Sequence, residues 1–336
     1  MDPVAALDLA QRLIEIDSTT GREREAGVWL AGRLEQLGYR VTRQPVDAER
    51  FNVLATLDPP VVVLSTHYDC VPPHISSRVE DGLLFGRGAC DAKGILAAQV
   101  AAAERLRSQG ERRVGLLFVV GEERGSDGAA VANAHPAGSR YLINGEPTDN
   151  RLALATRGVL RVRLQALGRA AHSAAPDQGV SAIDRLIDGL VRARSLRWPA
   201  AEGLGETFYH VGLIDGGVAP NVIAPHASAE LLFRTVGPPE EILEILRAVE
   251  PLVSIEEILR VPVIRLRAPA VEGIETAVFP FTTDVPLLAN WGAPLLFGPG
   301  SFLVAHTDRE HLAIAEFRLA IERYVQLVEA CLGGVV

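Results

Sequence analysis

Cysteine is scarce in this chain. Its 336 residues include Cys70, Cys90 and Cys331 and no others, and none of them forms a Cys-x-x-Cys pair. An odd count at that spacing argues against a disulfide framework or a cysteine-built zinc site. Lysine is scarcer still, with Lys93 alone against many arginines. No window supplies the about 18 uncharged apolar residues of a spanning helix. The N-terminal MDPVAALDLAQRLIEIDS has acidic residues and no basic region before an apolar stretch, so it reads as a helix and not as a signal peptide. A reducing, cytoplasmic compartment is the expectation. Positive charge is also in deficit: Lys plus Arg total 33 against 42 for Asp plus Glu, a formal net charge of −9. Nucleic-acid binding needs a basic footprint, and docking on an anionic membrane needs one too, so neither partner is expected. Two nucleotide motifs are missing: the Gly-x-x-x-x-Gly-Lys-Ser/Thr loop, and Gly-x-Gly-x-x-Gly after the first strand.

What is present fits a soluble globular chain, with 48% apolar and 22% charged residues and length for one large or two ordinary domains. Ala5–Ile16 carries an apolar stripe at helical spacing. Thr20 and Glu23 have the spacing of a capping box for a helix over Arg22–Leu37, stopped by Gly38. Short apolar runs come next at Asn52–Leu57, Val61–Ser65, Val114–Val120 and Arg140–Ile143, with a helix over Ile95–Ser108. Strands separated by helices predict an α/β domain with a mostly parallel sheet flanked by helices. Val61–Leu64 is apolar without alternation, as a strand covered on both faces should be.

The pattern changes near residue 158. Val159–Ala166 alternates like a half-exposed antiparallel strand, and Ser181–Arg194 is an amphipathic helix. Thr207–Ile214 and Ala227–Thr235 read as strands and Pro239–Ala248 as a helix. The α/β signals return with Leu295–Phe297 as a short strand and Glu310–Cys331 as a long helix. The expected organisation is a catalytic domain over 1–157 and 268–336, with an inserted α+β domain over 158–267.

Chemistry-bearing residues gather just past the predicted strand ends, where open α/β sheets bind ligands. Thr66-His67-Tyr68-Asp69 follows one strand, and Asp91 precedes the Lys93-Gly94 start of a helix. Gly121-Glu122-Glu123, Asn144-Gly145-Glu146-Pro147 and Ala305-His306-Thr307 complete the set. Taken singly, a His-x-Asp reads as a surface pair, two adjacent glutamates as solvated, and an Asp before a helix as its cap. Together they bring several acids and imidazoles to one sheet edge, where unpaired charge is costly unless cations bind. Two imidazoles plus carboxylates without thiolates suit Zn²⁺ or a similar first-row ion, and their number exceeds one tetrahedral shell. They fit two ions that share one carboxylate.

Four segments carry a family resemblance: Thr66-His67-Tyr68-Asp69-Cys70-Val71-Pro72, Gly86-Arg87-Gly88-Ala89-Cys90-Asp91-Ala92-Lys93-Gly94, Gly121-Glu122-Glu123 and Gly145-Glu146-Pro147. In this order they resemble the co-catalytic zinc aminoacylase and carboxypeptidase family. That family includes acetylornithine deacetylase and succinyl-diaminopimelate desuccinylase. The resemblance runs from about residue 5 to 331 and implies the family's zinc-peptidase-like catalytic domain with an inserted lid and dimerisation domain. It implies His67 and Glu146 as ligands of one metal, Glu123 and His306 as ligands of the other, and Asp91 as the bridge. Two Zn²⁺ ions are implied, with Co²⁺ or Mn²⁺ as substitutes. Asp69 would orient His67, and Glu122 would be the general base toward a water held between the ions.

In the inserted domain, Gly168–Pro176 resembles the lid segment whose histidine, here His172, steadies the oxyanion. Asn221 and Arg234 match lid positions that hold a substrate carboxylate, and Gly298 and Gly300 would form a backbone wall of the substrate pocket. Cys70 replaces a common threonine, and Ala174-Ala175 stands where Gly or Ser is frequent.

The implied activity is metal-dependent hydrolysis of the amide of an N-acyl amino acid, as in acetylornithine deacetylase and amino-acid biosynthesis. Succinyl-diaminopimelate desuccinylase and a dipeptidase or carboxypeptidase are the alternatives. A catalytically silent metal-cleft protein is a remote one, disfavoured because Glu122 and all five implied ligands are present. The implied partners are a small N-acyl amino acid or dipeptide, and a second copy of the chain through the lid.

Overall fold

The computed structural model describes residues 1–334. The chain forms two compact units, one of residues 1–154, 266–277 and 283–336, the other of residues 155–265 and 278–282.

The first unit is built on a six-stranded sheet. Val62–His67 lies between Val114–Val119 and Tyr141–Asn144, and Ala293–Leu296 extends the sheet beyond the latter, all parallel. A hairpin of Arg40–Pro45 and Phe51–Thr56 adds two antiparallel strands at the opposite edge. Val62–His67 and Val114–Val119 are buried along their whole length, which is why they read as continuous apolar runs.

Helix Lys93–Ser108 crosses over between those two strands and packs on the helices Pro3–Glu15 and Ile314–Leu332. Ala97, Ala98, Ala101, Ala102 and Ala103 are all buried, and their small side chains let it lie close to its neighbours. The first helix is capped by Asp2, whose Oδ1 accepts the N–H groups of Val4 and Ala5 at 2.9 Å, with Pro3 opening the helix.

The expected capping box does not form. The helix starts at Arg24, with Glu23 at the cap position and no side-chain cap bond. Thr20 instead donates its hydroxyl to Asp69 at 2.9 Å, and Glu23 is fully buried near Arg50. A tertiary partner has overridden a local motif. The last helix also begins later than its periodicity suggests. Residues His311–Ala313 form a strand against Leu83–Phe85, and Glu310 lies outside the helix.

The second unit has a four-stranded antiparallel sheet in the order Phe208–Gly216, His226–Thr235, Gly158–Leu167, Ser254–Val261. Helices Ala182–Ser195 and Pro239–Leu246 pack on it over a core that includes Leu160, Val162, Leu164, Leu231 and Phe233. The alternating burial of Gly158–Leu167 and His226–Thr235 is the period-two pattern of a sheet covered on one face. Ser254–Val261, which is not among the strands expected from the sequence, is an edge strand whose residues are all exposed or half-exposed.

Candidate active site

Three parallel strands of the first unit end at one sheet edge, and each hands over a ligand-type residue. His67 is the last residue of its strand, Glu122 and Glu123 form the turn after Val114–Val119, and Glu146 lies two residues past Asn144. Asp91 precedes the crossover helix. His306 lies in the segment after Ala293–Leu296, with a left-handed backbone (φ 63°).

Asp91 faces a histidine with each oxygen. Its Oδ1 is 3.0 Å from His67 Nε2, and its Oδ2 is 3.3 Å from His306 Nε2. The Glu123 carboxylate is 2.9 Å from the same His306 nitrogen. Ligand atoms of His67, Asp91 and Glu123 all lie within 4.8 Å of one another. Glu146 is buried, and its Oε1 has no hydrogen-bond partner among the described residues.

Asp69 does more than orient a histidine. His67 Nδ1 is 3.0 Å from the Asp69 backbone carbonyl and 3.4 Å from its Oδ1, which fixes Nε2 as the nitrogen turned toward Asp91. The Asp69 carboxylate also accepts the backbone N–H groups of Glu122 (3.1 Å) and Glu123 (3.2 Å). One buried side chain therefore holds the turn that presents both glutamates.

Charge at this edge is strained. Burial drives the carboxyls of Glu122, Glu146 and Glu123 upward, and in all three neighbouring acids add to it. Burial also favours the neutral form of His67, but Asp69 and Asp91 outweigh it and hold its pKa well above the usual histidine value. Hydrogen bonds to Asp91 and Glu123 push His306 up to about 10. Asp91 goes the other way, held low by the two histidines despite its burial.

One acid of this neighbourhood escapes sequence reasoning. Asp284 is 1% exposed, and neither of its oxygens has a hydrogen bond of normal geometry among the described residues. Burial raises it to about 6, which the Ser126 side chain offsets only in part. Its charge also bears on Glu122 and Glu146. The available signal is one acid before the apolar Val-Pro-Leu-Leu run, too faint to separate from a helix cap.

These residues fit a pair of divalent cations. Asp91 addresses two separate imidazoles with its two oxygens, as a shared carboxylate must. Glu146 Oε1 and both oxygens of Asp284 are buried carboxylate oxygens without a hydrogen bond of normal geometry among the described residues. Nitrogen and oxygen donors without thiolate suit first-row ions such as zinc.

Gly298 and Gly300 are buried, and their tight approaches are to protein. A Cβ on Gly298 would meet the Glu146 carbonyl at 2.5 Å, and one on Gly300 (φ +83°) would meet Cys90 Cβ at 2.6 Å. The Gly298 carbonyl accepts the N–H groups of Thr148 and Asn150, so this segment braces the loop carrying Glu146.

His172, Asn221 and Arg234 belong to the second unit. His172 is exposed, and its Nδ1 accepts the Ala174 N–H at 3.1 Å, leaving Nε2 as the protonated nitrogen. Asn221 is exposed, and its carbonyl accepts the Ser173 N–H. Arg234 is half-buried on the strand His226–Thr235.

Residues 63–330 match the model of Peptidase family M20/M25/M40. A probable carboxypeptidase of Aspergillus terreus is 36% identical, over 97% of this chain and 86% of that protein. A peptidase M20 domain-containing protein of Schizosaccharomyces pombe is 35% identical, over 96% and 84%. Among solved structures, a tripeptidase from Staphylococcus aureus superposes with a TM-score of 0.82 at 20% identity, over 98% of this chain and 99% of that one. A dinuclear metal-binding M20 peptidase from Bacillus subtilis gives 0.74 at 15% identity, over 99% and 98%. The chain belongs to peptidase family M20/M25/M40 and is a metal-dependent hydrolase of amide bonds.

Proposed function

We propose that the chain hydrolyses the amide bond preceding a free C-terminal amino acid, in a short peptide or an N-acyl amino acid. The observation that carries this reading is Asp91, with one oxygen facing His67 and the other His306, beside the Glu122–Glu123 turn held by Asp69. His67, Glu146, Asp91, Glu123 and His306 would hold two ions, zinc fitting the donor set. When bound, such ions polarise a carbonyl and make water acidic enough to attack near neutral pH.

The protein's own part centres on Glu122. Its carboxylate takes the proton of the attacking water as the new C–O bond forms at the amide carbon. It then delivers that proton to the nitrogen as the C–N bond breaks, releasing a carboxylate and a free amine. Desolvation lifts Glu122 above the ordinary carboxylate range, which suits a group that must both accept and return a proton. We assign His172 Nε2–H to the developing oxyanion, and Arg234 with Asn221 to the substrate carboxylate. The Ala174 contact that fixes the His172 tautomer supports the first assignment.

The short-peptide form is favoured by the relatives named probable carboxypeptidases. The acetylornithine deacetylase form rests on Gly145-Glu146-Pro147. A hydrolysis screen separates them: dipeptides against N-acetyl and N-succinyl derivatives of ornithine, lysine and diaminopimelate, with zinc added. Turnover of none of these, with metal bound, would refute the proposal and favour a silent cleft.

A homodimer through the second unit belongs to the same reading. Helix Ala182–Ser195 exposes Ile183, Ile187 and Val191, and the edge strand Phe208–Gly216 exposes Leu213 and Ile214. An apolar helix stripe in the same unit as an unpaired strand edge suits a second copy. Three buried free thiols support a cytoplasmic location. Among the described residues, no helix is long and apolar enough to cross a membrane.

A further inference from the structure

Glu310 lies four residues after His306, in a stretch whose sequence reads as the start of a helix. Its side chain is instead turned into the first unit. Oε2 pairs with Arg87 Nη1 at 2.6 Å, the two side chains being 1% and 3% exposed. Oε1 accepts three backbone N–H groups: Gly88 at 3.0 Å, Cys90 at 3.2 Å and Asp91 at 3.2 Å. The Cys90 thiol is 3.7 Å from the same oxygen, and the Glu310 carbonyl accepts the Gly86 N–H at 3.2 Å. Arg87 is itself anchored, its Nε donating to the Pro73 carbonyl and its backbone N–H to that of Ile75.

This arrangement joins two stretches of chain more than two hundred positions apart. One ends in Asp91, whose own N–H is bonded to Glu310. The other carries His306, half-exposed and held by side-chain contacts to Asp91 and Glu123. The strand pair of His311–Ala313 with Leu83–Phe85 continues the junction on the far side of Glu310. A backbone turn could have been closed by a neutral residue. A buried carboxylate receiving three N–H groups and an arginine fixes position with far less slack.

We propose that Glu310 is a positioning residue, setting Asp91 and His306 in register so that one carboxylate can serve two ions. This rests on the dinuclear reading above. Residues behind metal ligands typically change metal affinity or activity by about 10–100-fold when altered. Glu310→Gln keeps the shape and one acceptor oxygen but removes the charge facing Arg87.

The test is a zinc titration of the metal-stripped full chain against a competing chelator, paired with the visible absorption spectrum of the cobalt-loaded protein. Wild type should bind two ions. Glu310→Gln should bind the first with unchanged affinity and the second about 10–100-fold more weakly. Its cobalt bands should be altered, and excess metal should recover most of its activity. A folded Glu310→Gln that binds both ions as tightly as wild type, with the same spectrum, overturns the proposal. Should Glu310→Gln not fold, Arg87→Gln with Glu310→Gln removes the unpaired buried cation and decides. A folded double variant with a weakened second ion supports the positioning role. Wild-type affinity in that variant, or failure to fold, overturns it. Fewer than two ions on wild type would sink the dinuclear reading and this proposal with it. With two ions on wild type, the dinuclear reading stands and the variants alone decide the role of Glu310.

Discussion

On the sheet of the second unit, Glu230 stands between Arg161 and Arg163, at 2.8 Å from the latter, and Arg163 also reaches Glu256 at 3.1 Å. At the sheet edge of the first unit, Glu146 Oε1 and both oxygens of Asp284 are buried without a hydrogen bond of normal geometry among the described residues. The same chain, rich in arginine, pairs Glu230 on a half-exposed face and leaves Glu146 Oε1 and Asp284 without an arginine at the buried sheet edge. Exposed pairs of the first kind contribute little to stability. Buried acids of the second kind are costly unless something positive joins them. On the dinuclear reading proposed above, the acids left without arginines at this edge are the ones that would meet cations.

Several experiments sharpen or break this contrast. Chelation carries the largest expected effect. It should abolish hydrolysis and lower the melting temperature, and zinc or cobalt should restore both; an active metal-free protein would end the contrast. Glu122→Gln comes next, with a loss of roughly 10²–10⁴-fold in kcat, while two ions remain bound by elemental analysis. His172→Ala should lower kcat by about 10²–10³-fold with little change in KM, because an oxyanion contact acts mainly in the transition state. By comparison, Glu230→Gln in the second unit should leave metal content and kcat at wild-type levels.

The smallest effect concerns stability. Burial, aided by the Asp69 charge, pushes Glu23 up to about 7. Its folded pKa is raised, so its contribution is fully present below the unfolded value of 4.5 and is lost as pH rises through about 7. Glu23→Gln should flatten the pH dependence of thermal unfolding across that window and raise the melting temperature at pH 8. At 1.36 kcal/mol per pH unit, about 3 kcal/mol is the ceiling. A Glu23→Gln curve parallel to wild type would contradict it.

Much of the site is legible in the letters because parallel strands bury both faces. Val62–His67 and Val114–Val119 appear as unbroken apolar runs, so the residues just past each run mark the ligand edge. His67, Glu122 and Glu123 stand out in that way, Asp91 by its place before a helix and His306 by its place before the last one; His67, Asp91, Glu123 and His306 lie within contact of one another. The hidden features depend on partners distant in sequence. Thr20 and Glu23 have the spacing of a helix cap, yet Asp69 and Arg50 claim their surroundings. Glu310 continues the periodicity of the last helix, and only the fold turns it onto Arg87. The second task of Asp69, holding the backbone of Glu122 and Glu123, has no sequence signature at all.

The most direct test of the central claim is anomalous diffraction at the zinc edge from crystals of the zinc-loaded protein. Two peaks about 3.5–4 Å apart, one against each oxygen of Asp91, are the result expected. The account is contradicted by a single peak, or by none within reach of His67, Glu123, Glu146 and His306.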